Sequence, residues 1–228
     1  MRSKSLQKIL ATTLTATMVM ASALTVSATT NNAGSGSESS SSSSESSDSE
    51  ESPATYAEQN SQSEDAAITV GNTVVKTSVS GVYAAKTVQG CAITVSKSAV
   101  AASLGLSGNQ KAAIIIYDTD QKKSSKAMAC VNAAIEAMQR STVGNVDMVA
   151  VLNVDLGAKE DGKWVTLSSG SVGMKTGLPK GADTTKTYSV ICVQPGGVIT
   201  ILEDEDTDPN TVTFAVQAGL GTYALVAQ

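Results

Sequence analysis

The sequence predicts an α+β protein that is antiparallel and β-rich, with one long amphipathic helix and a C-terminal β-sandwich. Three observations lead to this fold class. Short runs of β-branched residues recur from residue 67 to residue 228, separated by Gly, Pro and Asp turn signals. One longer stretch, residues 125–140, repeats its apolar residues at helical spacing instead. In the last third of the chain, apolar and polar residues alternate between tight turns, which is typical of a sandwich.

The first part of the folded region, residues 67–118, is predicted to be mostly short strands. We place these strands at Ile68–Val70, Val74–Val79, Val82–Val88, Cys91–Val95 and Lys111–Asp118. The run Ile114-Ile115-Ile116 is continuous and apolar, so the last of them should be a buried strand. Between the strands, Ser96 is a helix cap and a short helix should run to Leu104, where glycines end it.

The long helix over residues 125–140 is predicted from its amphipathic pattern. At 100° per residue, one half of the helix carries Ala127, Met128, Cys130, Val131, Ala134, Ile135, Ala137 and Met138. The other half is polar, and Ser124 or Ser125 can cap the first turn. A methionine stripe at this spacing is much more often core than binding groove, so we expect the helix to pack across a sheet.

The last part of the chain is predicted to be strand after strand. We expect strands near Met148–Leu156, Trp164–Leu167, Tyr188–Cys192, Val198–Leu202, Val212–Val216 and Tyr223–Val226. Asp161-Gly162 suits a two-residue hairpin, and Pro195-Gly196 suits the centre of a type II turn. Asp208-Pro209-Asn210 predicts a further turn. These signals favour an antiparallel sandwich over residues 145–228, after an α+β portion at 67–144, or one continuous domain over 67–228.

The N-terminal 66 residues are predicted to lie outside the folded region. Residues 1–28 resemble a secretory signal peptide, with basic residues first, then an apolar stretch, then the small-residue site Val26-Ser27-Ala28. Residues 29–66 are rich in Ser and acidic residues and contain no Lys or Arg. A segment with so little to bury should be a disordered, acidic linker, extended by its like charges.

Charge and composition exclude several functions. The negative charge lies in the linker, whereas residues 67–228 contain equal numbers of acidic and basic residues. A neutral domain has no basic surface for phosphate backbones, so we expect no nucleic-acid partner. The chain has 0 His, which excludes Ser-His-Asp and Cys-His catalysis and every zinc site that needs His.

The three cysteines are predicted to be buried core residues. Cys91, Cys130 and Cys192 are odd in number and far apart, and each falls on a predicted apolar face. The alternative is one disulfide with one leftover thiol, and the spacing does not decide which residues would pair.

Two acidic clusters are the candidates for chemistry. Asp204, Asp206 and Asp208 imitate the opening of a calcium loop, but Pro209 stands where such a loop needs Gly. A solvated hairpin turn explains them better, with a calcium-stabilised binding module as the alternative. Asp118 and Asp120 follow the buried strand and are candidates for acid and base in a hydrolase, although Asp is also common in turns.

The C-terminal third resembles a known kind of module. Leu202-Glu203-Asp204, the run from Asp208 to Phe214, and Gly221–Val226 are similar to the C-terminal β-sandwich module of uncharacterised secreted proteins from Gram-positive gut anaerobes. Leu178-Pro179 and Lys186–Val190 extend the likeness upstream. The resemblance implies export and a non-catalytic role in a secreted or surface protein.

These observations predict an exported, non-catalytic structural or adhesion protein, with a protein or an envelope glycan as its partner. We assign no catalytic, cofactor-binding or metal-binding residue and no cofactor. We expect a secreted, extracellular protein without a transmembrane segment once the signal is cleaved, with loose attachment to the cell surface as a variant. The alternatives are a carboxylate-dependent secreted hydrolase and the calcium-stabilised module.

Overall fold

A computed structural model describes residues 66–141 and 144–228, so the predicted signal peptide and all but the last residue of the predicted linker lie outside the described residues. Over those ranges the chain forms twelve strands and two helices. The helices are α1 (Lys97–Ser103) and α2 (Ser125–Ser141). The strands are β1 (Ala67–Val70), β2 (Thr73–Lys76), β3 (Ser80–Tyr83), β4 (Cys91–Ala92), β5 (Lys111–Asp118), β6 (Asp147–Glu160), β7 (Lys163–Val165), β8 (Ser171–Gly177), β9 (Tyr188–Gln194), β10 (Val198–Glu203), β11 (Thr211–Gln217) and β12 (Gly219–Ala227).

A seven-stranded sheet is the central layer. Its strands follow the order β10-β9-β12-β6-β5-β3, and β7 also pairs with β6. Every pairing in it is antiparallel except that of β3 with β5, which is parallel. β5, which precedes residue 144, pairs directly with β6, which follows it. The pairing covers eight residue pairs, from Lys111↔Lys159 to Asp118↔Leu152. The predicted α+β, β-rich fold class is confirmed.

The parallel pairing of β3 with β5 requires a glycine at one position. A Cβ atom on Gly81 would lie 1.8 Å from the carbonyl oxygen of Ile114. No side chain is compatible with that distance, so only glycine lets the two backbones approach this closely. β3 ends at Tyr83, before the end of the predicted run, and the carboxylate of Asp118 accepts hydrogen bonds from the backbone N–H groups of Lys86 and Thr87 just beyond it. Those contacts hold residues 84–90 in an irregular path.

A three-stranded sheet of order β11-β8-β4 and one face of the large sheet contribute to the larger of the two main hydrophobic cores. Alternate residues of β6, from Ala150 to Leu156, and of β11, from Val212 to Val216, are buried in it together. Phe214 and Tyr223 lie at its centre with ring centroids 5.7 Å apart. Each such fully buried large side chain stabilises the fold by about 1.5–3 kcal/mol.

The second core lies between α2 and the opposite face of the large sheet. Met128, Val131, Ala134 and Met138 are buried there, as the helical pattern predicts, and they pack on residues of β6, β9 and β12. Ala137, which was expected on the same face, is exposed, because the buried stripe is narrower than half of the helix. One strand of the three-stranded sheet, β8, was not predicted from the sequence.

Candidate functional site

The site that the fold builds is a cavity of about 500 Å³ beside the first turn of α2. Its floor is the α2-facing side of the large sheet, where β5, β6 and β12 lie side by side. The turn between β9 and β10 contributes one wall. Ligand cavities of proteins have volumes of roughly 300–1,000 Å³, so this one can hold a small molecule.

Hydrogen-bonded polar side chains form the floor. Tyr117, Asn153 and Thr222 stand opposite one another on β5, β6 and β12. Thr222 donates to the Asn153 side-chain oxygen over 2.7 Å. The Asn153 amide nitrogen donates to the Tyr117 hydroxyl at 3.3 Å and to Ser124 Oγ at 3.0 Å. The side-chain oxygens of Ser124 and Thr119 are 2.8 Å apart. Such a network fixes the direction of each donor and acceptor before a ligand arrives.

The segment before α2 places Ser124 over this floor. Thr119 N–H bonds to the carbonyl of Val151 at 3.1 Å, which ties the end of β5 to β6. The Asp120 carboxylate then accepts from the backbone N–H groups of Lys123 and Lys122 at 3.0 and 2.8 Å, and these bonds lower its pKa. This tight turn reverses the chain and starts the helix at the edge of the cavity.

Around the floor, the cavity lining is largely apolar, and its charged residues are basic. Lys123 and Lys126 are the charged residues among the described residues that line it. The apolar lining includes Ala127, Val193, Pro195 and Leu220. Gly196, with φ of 86°, forms the predicted type II turn with a 3.0 Å hydrogen bond from Gly197 N–H to the Gln194 carbonyl. The cavity thus combines a polar floor, apolar walls and positive charge.

A buried carboxylate lies next to the cavity. Asp155 follows Asn153 on the same face of β6, stands opposite Leu220, and is 8% exposed. Its Oδ1 atom has no hydrogen-bond partner in the described parts of the chain. Burial disfavours the charged form, so the pKa of Asp155 is raised. Asp155 itself does not line the cavity.

Asp118 and Asp120, the candidate acid and base of the alternative hydrolase, both accept hydrogen bonds from backbone N–H groups. Asp118 accepts from the backbone of Lys86 and Thr87 and from the Thr87 hydroxyl. Asp120 caps the turn that precedes α2, and it is exposed. Neither carboxylate lines the cavity. Asp118 therefore holds the segment at residues 86–87 against the end of β5, and Asp120 holds the turn before α2.

Asp204, Asp206 and Asp208 organise the loop between β10 and β11. Each accepts a backbone N–H, from Asp206, Asp208 and Asn210 respectively, at 2.8–3.1 Å. Asp206 also pairs with Lys175 at 3.0 Å. Partial burial raises its pKa, but hydrogen bonds from Thr213 and Lys175 outweigh this and lower it. Within 66–141 and 144–228, no three acidic or cysteine side chains are grouped so as to hold a metal ion.

All three cysteine thiols are free. Cys91 and Cys192 are buried in the larger core, as predicted, and burial raises the pKa of Cys91 to about 12. Cys130 is only partly buried, packs against the second core and lines the cavity. The first two are therefore unreactive at neutral pH.

The sequence analysis did not single out the polar residues in and beside the cavity floor. Asn153 and Asp155 interrupt the otherwise apolar run of β6, from Ala150 to Leu156. Both faces of that strand are covered, so polar residues at these positions were a usable signal. Thr222 carried no such signal, because a threonine is ordinary in a strand.

Comparisons with known proteins gave no relatives. No protein-family model matches the chain, and neither the curated proteins nor the solved structures contain a match. Among the residues that the structure describes, no helix is long and apolar enough to cross a membrane.

Proposed function

We propose that this chain is an exported, non-catalytic binding protein that takes a small organic anion into the cavity beside α2. The observation that carries the proposal is the cavity itself, with hydrogen-bonding groups on its floor and two lysines in its lining. A ligand with an apolar body and a carboxylate or similar head group fits this combination.

The charge of the lining favours an anion. Lys123 and Lys126 are the lining residues with a formal charge, and no acidic residue joins them among the described lining residues. A cationic ligand would leave water to face two ammonium groups of like charge, whereas an anion would be attracted by both. The apolar walls add affinity in proportion to the ligand surface that they bury.

The partners of the floor hydroxyls favour binding over catalysis. Ser124 Oγ has its hydrogen bonds with the Asn153 amide and the Thr119 hydroxyl. A serine nucleophile needs a base within hydrogen-bond reach, and neither of these groups is basic. The two carboxylates that the sequence offers for acid-base work, Asp118 and Asp120, are engaged in turns outside the cavity.

Export is supported by the sequence of the first 66 residues. Residues 1–28 have the charge, apolar core and small-residue site of a signal peptide, and 29–66 have the composition of a linker. The likeness of the C-terminal third to modules of secreted proteins points in the same direction. An exported binding protein would present the cavity to molecules outside the cell.

Titration of the isotope-labelled protein with hexanoate, 1-hexanol and hexylamine tests the proposal, because these probes share one apolar body and differ in charge. We expect amide NMR shifts around Asn153 and Thr222, with affinity falling from hexanoate to hexanol to hexylamine. The double variant Lys123→Gln/Lys126→Gln should weaken hexanoate binding by about tenfold. Lys122→Gln, a neighbouring exposed lysine outside the cavity, is the matched control.

Two results would overturn the proposal. Hexylamine binding as tightly as hexanoate would remove the anion preference. If the amide chemical-shift changes appeared away from the cavity, or if none of the three probes caused any, the cavity would not be the binding site.

A further inference from the structure

Strand β10 leaves one side of the large sheet unpaired. It is the terminal strand of the order β10-β9-β12-β6-β5-β3, and its six residues, from Val198 to Glu203, all pair with β9 on the inner side. No strand within the described residues pairs with its outer side. The outward N–H and C=O groups of such a strand are a template for another strand.

β10 also exposes apolar side chains on both faces. Val198, Ile199 and Ile201 are 56%, 41% and 50% exposed. Proteins usually protect an open edge with Lys, Pro, a bulge or a covering segment. β10 contains no Lys and no Pro, and its one charged residue, Glu203, is at its end. An edge this apolar is typical of a strand that has a partner.

We propose that β10 pairs with β10 of a second copy of this chain, antiparallel and centred on Thr200. A two-fold axis perpendicular to the sheet keeps α2 of both copies on the same side. Residues that stand opposite each other must then have numbers that add to an even value, so that their side chains share a face. Centring on Thr200 satisfies this requirement.

This register pairs every apolar side chain of β10 with another. Ile199 of each copy stands opposite Ile201 of the other, and Val198 stands opposite Leu202. The two threonines meet at the axis, where Thr–Thr pairs are favourable. Glu203 falls opposite Gly197, at the two ends of the ladder and away from the other copy's Glu203.

The alternative arrangements are less favourable. Centring on Ile201 would place Ile199 opposite the charged Glu203, and centring on Ile199 would place Ile201 opposite Gly197. A parallel pairing would bring the two Glu203 carboxylates side by side, with like charges in adjacent positions. The strand is therefore complementary to itself in one antiparallel register, which favours a second copy over an unrelated partner.

Pairing would also continue the second core across the interface. Ile199 and Ile201 stand opposite Val193 and Ile191 of β9, which are buried beneath α2. In the two-fold arrangement the four exposed isoleucines would form one apolar cluster between the two α2 helices. Removing that surface from water is the main stabilising contribution to the dimer.

Sedimentation equilibrium of the purified protein over a concentration series tests the dimer. We expect a dimer whose dissociation constant rises about tenfold or more in Ile201→Lys, because two added ammonium groups would lie in the apolar cluster. Val74→Lys is the matched control, since Val74 is 68% exposed on β2, away from this edge. A monomer at all concentrations, or a dimer unaffected by Ile201→Lys, would overturn the proposal.

Cysteine cross-linking tests the register independently of that variant's folding. On a Cys130→Ala background, a mixture of Ile199→Cys and Ile201→Cys proteins should form a disulfide-linked heterodimer on mild oxidation. Each protein alone should cross-link less, because in this register position 199 faces 201 and not itself. Equal cross-linking in the mixture and in the separate proteins would contradict the centring on Thr200.

Discussion

Thr222 and Asn153 join strands β12 and β6 through a buried hydrogen bond of 2.7 Å between their side chains. Both residues are less than a tenth exposed. The Asn153 amide nitrogen is thereby turned toward Tyr117 and Ser124, so one bond sets the orientation of the whole cavity floor. The floor and the pairing of the two central strands thus depend on the same contact.

Replacing Thr222 by Val should destabilise the protein while keeping the shape of the side chain. The change leaves the buried Asn153 oxygen without its donor, which costs about 1–3 kcal/mol of unfolding free energy. Urea unfolding followed by circular dichroism measures it. Thr73→Val, at an exposed position of β2, is the control and should change stability by less than about 0.5 kcal/mol. An equal effect in both variants would show that the buried bond contributes nothing.

Asp155→Asn should stabilise the protein at neutral pH. Because burial raises the folded-state pKa of Asp155, the folded state binds its proton more tightly than the unfolded state does. Stability therefore falls as the pH rises through the window between the unfolded and folded pKa values. The neutral amide avoids this loss, so the gain should be present at neutral pH and disappear below the unfolded-state pKa.

Asp120→Asn is the companion to that experiment, since the pKa of Asp120 is shifted in the opposite direction. Backbone N–H groups of Lys123 and Lys122 stabilise its charged form and lower its pKa. The variant should therefore lose stability at neutral pH, and the loss should vanish in acid. Thermal melts from acid to neutral pH compare the two. A pH profile of the same sign in both variants would contradict the assignment.

Local patterns were sufficient to predict the strands and helix with strong periodicity. β5 has the predicted bounds, and α2 extends one residue beyond residue 140. β8 was missed because its half-buried face carries Gly173 and Lys175, and only the fold shows that Met174 is fully buried. The parallel pairing of β3 with β5 was equally hidden, since it joins segments about thirty residues apart.

The cavity depends on contacts that a linear pattern does not contain. Tyr117, Ser124, Asn153 and Thr222 belong to four separate elements or connections, and sheet register brings them together. Carboxylates are common metal ligands and acids of active sites, so the acidic runs were the candidates that the sequence offered. In the structure these carboxylates bind backbone N–H groups instead. The donors to Asp120 lie within a few residues of it, and those to Asp118 lie about thirty residues away in the chain.

If residues 1–28 are a signal peptide, the protein recovered from the medium of a Gram-positive host should begin at residue 29. N-terminal sequencing or intact mass measures this directly. Ala28→Leu should block processing, because a bulky side chain does not fit the residue before the cleaved bond. Ala54→Leu makes the same change in the linker and should be processed normally. Retention of the full-length chain in the cell, with the wild-type sequence, would contradict export by this route.

Calcium should leave the melting temperature unchanged. Asp206 already pairs with Lys175 at 3.0 Å and accepts from Thr211 at 3.1 Å, and Asp204 and Asp208 are bonded to backbone N–H groups. A cation would have to displace these donors. Differential scanning calorimetry in millimolar calcium and in chelator compares the two conditions. A higher melting temperature in calcium would mean that the folded state binds the ion, and would restore the calcium-stabilised module.

Gly81→Ala should be strongly destabilising, because the new methyl group would meet the carbonyl oxygen of Ile114 at 1.8 Å. The β3 and β5 backbones would have to separate, which costs about 1–3 kcal/mol or more. Gly173→Ala is the matched control, since Gly173 is also in a strand but has no atom within 4 Å of the point where its methyl group would lie. It should be neutral or slightly stabilising, because alanine restricts the unfolded chain more than glycine does. Equal stability of the two variants in chemical denaturation would show that β3 does not lie against β5 in this register.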